Sequence, residues 1–420
     1  MNVVQVLLHC HSGRAPVLVG RLAFKGGQAL FEYEQSFLDS GLNISPLQLG
    51  LQGNLQIADR VPFGGLHGVF ADSLPDGWGL LLMDRVFRQR NINIQTITPL
   101  DRLAYMGTRA MGALSYVPDT GEETDQALDR LSLSALADES LRILQGDSGD
   151  VLKVLAMAGG SPGGARPKVA IGLKGGDVIA GVDDLPESYT HWVVKFPAGA
   201  SQEDVQEGLI EYLYSILARK AGINFPETTL FPAENSPGFF GIKRFDRGEG
   251  NHRVHMHSLA GMINADFRLP DCDYETLLKA TSVVTKHHQD ACEVFRRMVF
   301  NIIMGNRDDH TKNFSYLMSA QGEWRLSPAY DVTFNGGING QHSMSVNGLG
   351  KSVTLAAVLG ISDLIPLDRK SASLIIEQVI EAASAWTSLA NEYGVPENLN
   401  KEITCYIDSA VKRLRLPAHR

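Results

Sequence analysis

The feature that most constrains this chain is the stretch Asn301 to Asp331, NIIMGNRDDHTKNFSYLMSAQGEWRLSPAYD, where ionisable and metal-capable groups are enclosed by two apolar runs. Val299, Phe300, Ile302 and Ile303 lead into a polar loop from Asn306 to Asn313, and apolar Phe314, Tyr316 and Leu317 follow. After a Gly-containing turn at Gln321 to Glu323, Trp324, Arg325 and Leu326 lead to an isolated Asp331. The alternation around Phe314–Leu317 and Trp324 predicts two short strands of a hairpin. Such a hairpin returns Asn313 and Asp331 to the same end.

That arrangement suits phosphoryl transfer from ATP. The chemistry needs one carboxylate to orient the attacking hydroxyl, and an amide oxygen with a second carboxylate to hold magnesium against the phosphates. Asp308 and Asn313 have the D-x-x-x-x-N spacing of the protein-kinase catalytic loop. Asp309 sits one residue off that spacing, so the identity of the base stays open between the two acids, whose titrations can couple. The plainer reading makes Asp308 and Asp309 solvated loop acids and Asn313 a turn former.

With 44% apolar and 20% charged residues in 420, the chain has the composition of a globular protein of two or three domains. A formal net charge of −9 argues against a grip on nucleic acid by this chain alone, since phosphate binding calls for a basic face. Cys10, Cys272, Cys292 and Cys405 lack C-x-x-C spacing, so neither a zinc knuckle nor a disulfide framework is indicated. The opening MNVVQVLLHCHSG lacks the basic flank and cleavage site of a secretory signal, and no apolar run approaches the length of a membrane span. The cytoplasm is the expected location, with no membrane partner.

Residues 1 to about 60 alternate apolar and polar positions around Lys25-Gly26-Gly27, which predicts a small antiparallel sheet. A helix is expected from about Gly77, after the turn residues Ser73, Pro75 and Asp76. Acid-rich DTGEETDQALDR, at 119–130, is a linker or a surface loop. The run AGGSPGGARPKVAIGLKGG then places Ser161 in a Gly-rich turn before a strand at Val169-Ala170-Ile171, and such a turn lets backbone N–H groups approach phosphates. The next strand, THWVVKFPAG, carries Lys195 among apolar residues and so implies an anionic partner. Glu211 on the helix starting near Gln202 is the chosen carboxylate, with Glu207 one turn earlier as the alternative.

GFFGIKRFDR reads as a strand with Lys243, Arg244 and Phe245 at its exit, and His255 and His257 share one face of a following extended segment. From Asp273 to Ile303 and from Ala372 to Leu414 the spacing is helical, the second stretch interrupted at Gly394-Val395-Pro396. An α+β fold follows, with a mostly β N-terminal half and a mostly α C-terminal half.

GNRDDHTKNFSYL and LSPAYDVTF, supported by GGARPK and PFGGLHGVFADSLPDGWGLLLMDR, resemble the HipA family of serine/threonine kinase toxins of bacterial type II toxin–antitoxin modules. The resemblance implies a bilobal protein-kinase-like fold, with an N-terminal subdomain over 1–115, a kinase N-lobe with its Gly-rich loop over 116–245, and a helical C-lobe over 246–420. It implies ATP and Mg²⁺ as cofactors, Asp308 as the base, and Asn313 and Asp331 as metal ligands. His310 would brace the loop and Lys312 would neutralise charge on the transferring phosphoryl group. Ser161, Gly163, Gly164, Ala165, Arg166, Lys168, Lys195, Glu211, Lys243 and Phe245 would line the nucleotide site, and Ser161 matches the autophosphorylation position.

The partners implied are a small helix-turn-helix antitoxin resembling HipB, operator DNA reached only through that complex, and a protein substrate such as glutamyl-tRNA synthetase or another aminoacyl-tRNA synthetase. Two other readings remain: a small-molecule or lipid kinase of related fold, and a nucleotide-binding scaffold within a repressor complex.

Overall fold

The computed structural model describes residues 3–9, 15–121, 132–146, 153–158, 164–181, 183–234 and 236–415. The chain divides into two compact units, one of Met1–Gly208, Thr229–Asn264 and Tyr316–Trp324, the other of Leu209–Thr228, Ala265–Ser315 and Arg325–Arg420. Among the described residues no helix is long and apolar enough to cross a membrane. Most of the acidic 119–130 segment, from 122 onward, lies outside the described residues.

In the first unit, strands β1 (Val3–Leu8), β2 (Val17–Lys25), β3 (Gln28–Tyr33), β4 (Gln56–Ile57) and β5 (Leu114–Val117) form an antiparallel sheet in the order β4-β3-β2-β1-β5. Gly26 and Gly27, both at positive φ, close the β2–β3 hairpin with Lys25 opposite Gln28, as a two-residue turn matched to the twist of its strands demands. Alternation puts Val4, Val6 and Leu8 inside. A second sheet, ordered β7-β6-β8-β10-β9, comprises β6 (Lys168–Lys174), β7 (Asp177–Ala180), β8 (Thr190–Lys195), β9 (Thr228–Phe231) and β10 (Phe239–Lys243). Trp78, Leu82, Met83, Val86 and Phe87 of the helix Gly77–Gln89 share one core with Val169, Ile171, Trp192 and Val194 of this sheet. The third sheet joins β11 (His255–Ser258) to the hairpin β12 (Ser315–Met318) and β13 (Trp324–Leu326).

The second unit is helical and centres on His288–Met304, which packs against Tyr274–Thr285, Arg369–Ala383 and Glu397–Leu414. Val294, Phe295, Met298, Val299, Phe300, Ile302 and Ile303 are all buried, and every residue from Arg297 to Met304 is buried, so the second half of this helix is interior, while His288, Gln289, Glu293 and Arg296 keep its first half amphipathic. The helical pattern from Asp273 to Ile303 is two helices rather than one, because Lys286 turns left-handed at φ 52. The C-terminal stretch has a further break after Ala383, besides the one at Gly394-Val395-Pro396.

A buried charge cluster ties the loop before β5 to the exit of β10. The Asp246 carboxylate accepts from Arg244 Nε at 2.9 Å and Nη2 at 2.7 Å, from Arg247 Nη1 at 2.7 Å and from Gly112 N at 2.7 Å. Arg247 donates on to the carbonyls of Gly112 and Ala110. His255 and His257, read as a polar strand face, are buried: His255 Nε2 lies 2.9 Å from Ile44 O, and His257 sits between Ser45 and Asp72.

Burial pushes the Asp246 carboxyl upward, but the two guanidiniums outweigh it and hold the group well below the usual carboxylate range. Its stabilisation is therefore complete above an unfolded value of about 4 and is lost as pH falls below that. Burial pushes His255 down to about 4, so the folded state favours the neutral ring and stability already declines below an unfolded value of about 6.5. Urea denaturation is predicted to show this two-stage acid decline. Asp246→Ala, which strands two buried guanidiniums, is predicted to cost about 3–5 kcal/mol at neutral pH.

Candidate active site

The buried helix His288–Met304 ends at Gly305, whose φ of 69 is left-handed and whose N–H bonds back to Asn301 O. A Cβ there would lie 2.7 Å from a Tyr406 ring carbon, so glycine alone gives this turn room to form. The polar loop starts at once. Its last residues, Thr311–Asn313, form a single 3₁₀ turn capped by His310, whose Nδ1 accepts from Lys312 N at 3.2 Å.

The two adjacent acids point to opposite environments. Asp309 is 1% exposed and accepts from Tyr274 OH at 2.7 Å, from Ser343 N at 2.8 Å and from the His342 ring at 2.9 Å. The Asp308 side chain is 53% exposed, with His310 Nε2 at 3.7 Å. Of the pair, Asp308 is the one an acceptor hydroxyl can reach.

Asn313 Nδ2 donates to Asp308 O at 2.8 Å, which spends the amide's donor end and leaves its oxygen for a cation. The hairpin β12–β13 and the segment after it return as expected. Tyr330 OH donates to Lys312 O at 2.8 Å and lies 2.5 Å from Ser315 Oγ, bringing the adjoining Asp331 to the loop. Asn313 and Asp331 line one cavity of about 20 Å³ together with Asn306 and Asp309, and the buried Oδ1 of Asn306 has no partner among the described residues. Among the described residues no group of three or more His, Cys, Asp or Glu could hold a metal ion. The donor set is thus one carboxylate and one amide, hard oxygens that suit Mg²⁺ when phosphates complete its shell. Lys312 Nζ lies 4.8 Å from the centre of the Phe267 ring, and the His310 and Phe267 rings are 5.6 Å apart.

Ser161 and Gly163 lie outside the described residues. In the first unit, Gly164 onward is held by the start of the helix Gly77–Gln89: Gly164 N donates to Asp76, Trp78 N donates to Gly164 O at 3.1 Å, and Trp78 Nε1 donates to Lys168 O at 3.1 Å. Ala165 is exposed beside it. Lys168 and Lys195 are both buried and stand directly opposite each other on β6 and β8, with Phe240 opposite Lys195 on the other side. Lys195 Nζ is 5.6 Å from the Phe240 ring centre. A Cβ on Gly164, at φ 111, would come within 2.8 Å of Lys168 Nζ.

Glu207 pairs with Arg166 at 3.2 Å, which leaves Glu211, 2% exposed, as the buried carboxylate of Gln202–Lys220. Lys195 belongs to the first unit and Glu211 to the second. Lys243 ends β10 opposite Trp192, and Phe245 is half-buried.

The sequence reading did not single out Tyr274, Asn301, His342 or Ser343 as partners of the acid pair. Asn301 carried a signal, being a polar residue inside the run VFNIIM.

A family model described as the HipA-like C-terminal domain matches residues 160–387, and one described as the HipA N-terminal domain matches residues 15–117. The chain belongs to the HipA family. "Putative kinase Y4dM" of Sinorhizobium fredii is 30% identical over 155 residues, covering 34% of this chain and 36% of that protein. A "Putative kinase" of Haemophilus influenzae is 28% identical over 128 residues, 27% of this chain and 37% of its own length. The chain thus matches little more than a third of either relative. "Putative kinase Y4mE" of Sinorhizobium fredii is 23% identical over 414 residues, 92% of this chain and 86% of that protein. The HipA chain of a Shewanella oneidensis complex of HipA, HipB and operator DNA superposes with a TM-score of 0.69 at 18% identity, over 97% of this chain and 96% of that one. The α+β architecture is therefore that of HipA.

Asp331 has φ 52, a left-handed conformation that costs an L-residue about 1–2 kcal/mol and that glycine adopts freely. Asp331→Gly is predicted to be more stable than Asp331→Ala by about 1 kcal/mol in urea denaturation, reversing the usual order of these residues.

Proposed function

We propose that this chain is an ATP- and Mg²⁺-dependent protein serine/threonine kinase acting as the toxin of a toxin–antitoxin pair. The observation that carries the reading is the setting of Asn313: it lines one cavity with Asp331, and its amide donates to the backbone carbonyl of Asp308, whose side chain is exposed.

In the reaction, Asp308 orients the acceptor hydroxyl and takes its proton as the acceptor oxygen bonds to the γ-phosphorus. The bond from that phosphorus to the β-bridging oxygen breaks, and ADP leaves. Family resemblance gives Lys195, with Lys168 in the nucleotide-site set, the role of holding phosphate oxygens as point charges, and gives Lys312 that of neutralising charge on the transferring phosphoryl group. Asn313 and Asp331 would hold Mg²⁺, which when bound neutralises charge on the phosphates. His310 orders the loop through its bond to Lys312 N.

Ser161 is the proposed site of autophosphorylation. A phosphoserine adds about −1.5 to −2 charge to a loop meant to cradle phosphates, so the modified form should bind ATP less well. Family resemblance supports an aminoacyl-tRNA synthetase, such as the glutamyl enzyme, as substrate. It also supports a HipB-like helix-turn-helix antitoxin as partner, and the net charge of −9 agrees with leaving DNA contact to that partner.

Intact mass of phosphatase-treated protein, before and after incubation with ATP and Mg²⁺, tests the reading. One added phosphate is expected, mapping to Ser161, with the rate in Asp308→Asn lower by about 10²–10⁴-fold. ATP binding without any phosphate gain, on this chain or on a synthetase, would point instead to a small-molecule kinase or a scaffold.

A further inference from the structure

We propose that Asp309 is a positioning residue: its buried carboxylate fastens the catalytic loop to the segment that follows Asp331, and so holds Asp308 in place without touching the substrate. The catalytic consequence rests on the kinase reading above; the structural coupling does not.

Around Asp308, the loop is bonded residue by residue to the stretch 335–343. Asn335 N donates to Gly305 O at 3.0 Å, Asn306 forms a parallel bridge with Asn335, and Arg307 Nη1 donates to Gly336 O at 2.8 Å. Arg307 O accepts from Ser343 N at 3.1 Å and from Ser343 Oγ at 3.0 Å. Asp309 completes the row, with Oδ1 accepting from Ser343 N at 2.8 Å and Oδ2 lying 2.9 Å from His342 Nδ1. The residues on both sides of Asp308, Arg307 through its carbonyl and Asp309 through its carboxylate, are therefore tied to one other segment, while the Asp308 side chain is exposed.

The same carboxylate closes a second circuit. Tyr274 OH donates to Asp309 Oδ2 at 2.7 Å, Asn301 Nδ2 donates to Tyr274 OH at 3.0 Å, and Asn306 Nδ2 donates to Asn301 Oδ1 at 3.0 Å, which returns to the start of the loop. Burial and the Asp309 carboxylate push the Tyr274 phenol well above its ordinary range, so it keeps the proton that it donates. Every member of this ring is at most 4% exposed. Apart from Asn306 Oδ1, the polar side-chain atoms of the ring are paired, and removal of its central acceptor leaves the Tyr274 hydroxyl and the His342 ring without their partner at once.

The test compares Asp309→Ala and Asp309→Asn with Asp308→Asn, by phosphoryl-transfer kinetics and by amide hydrogen exchange. Asparagine keeps the shape of the side chain and an acceptor for Ser343 N, so a positioning role predicts a graded series. Asp309→Ala should lose about 10–100-fold in kcat with little change in the KM for ATP, while Asp309→Asn recovers most of that loss. Peptides covering 305–313 and 335–343 should exchange about tenfold faster together in Asp309→Ala, with the rest of the chain unchanged. Tyr274→Phe, which removes one donor only, should show a smaller rise in the same two segments, and it serves if Asp309→Ala does not fold.

Equal inactivity of Asp309→Asn and Asp309→Ala, with Asp308→Asn still active, would make Asp309 the base and overturn the proposal. Unchanged exchange in both segments would overturn it as well. A wild-type chain with no transferase activity would defeat the kinase reading, while the exchange result would still decide the coupling.

Discussion

A helix whose last two turns are buried on every side can deliver a polar loop only if it stops abruptly, and the candidate site depends on that stop at Gly305. The left-handed turn against the Tyr406 ring sends the chain from the interior segment Val299–Met304 straight into Asn306. The anchor is the packing of the helix: each buried Phe, Val, Ile or Met side chain contributes about 1.5–3 kcal/mol of transfer free energy. The loop itself contributes little apolar burial. Its order comes from hydrogen bonds to neighbours that the helix places.

Two sets of buried charge in the first unit differ in kind. Around Asp246, two guanidiniums and a backbone N–H converge on one carboxylate, and the cluster carries its own counter-charge. On β6 and β8, Lys168 and Lys195 stand opposite each other with like sign. The first arrangement reads as a structural tie. The second places two buried lysines side by side on neighbouring strands.

Much of this was legible from residue order. Alternation located β12 and β13, the glycine pair after Lys25 located the first hairpin, and the buried setting of Lys195 followed from the apolar residues around it. What residue order could not separate was Asp308 from Asp309. Adjacent acids look alike in a string, and their difference arises because Tyr274, His342 and Ser343, from 33 to 35 positions away, converge on only one of them. The grip of Asp76 on Gly164 and of Trp78 on Lys168 was hidden for the same reason, since the partners are 88 and 90 positions apart. The left-handed turn at Lys286 was missed because apolar spacing continues across it, and spacing does not report backbone conformation.

Asn313 and Asp331 are proposed to form the protein's half of a magnesium–nucleotide site. Calorimetric titration with a non-hydrolysable ATP analogue, with and without Mg²⁺, tests it most directly when wild type is compared with Asp331→Ala. Wild-type binding is expected to weaken by about tenfold or more on removal of Mg²⁺, and the variant to bind weakly whether or not Mg²⁺ is present. Equal affinity in all four titrations would contradict it.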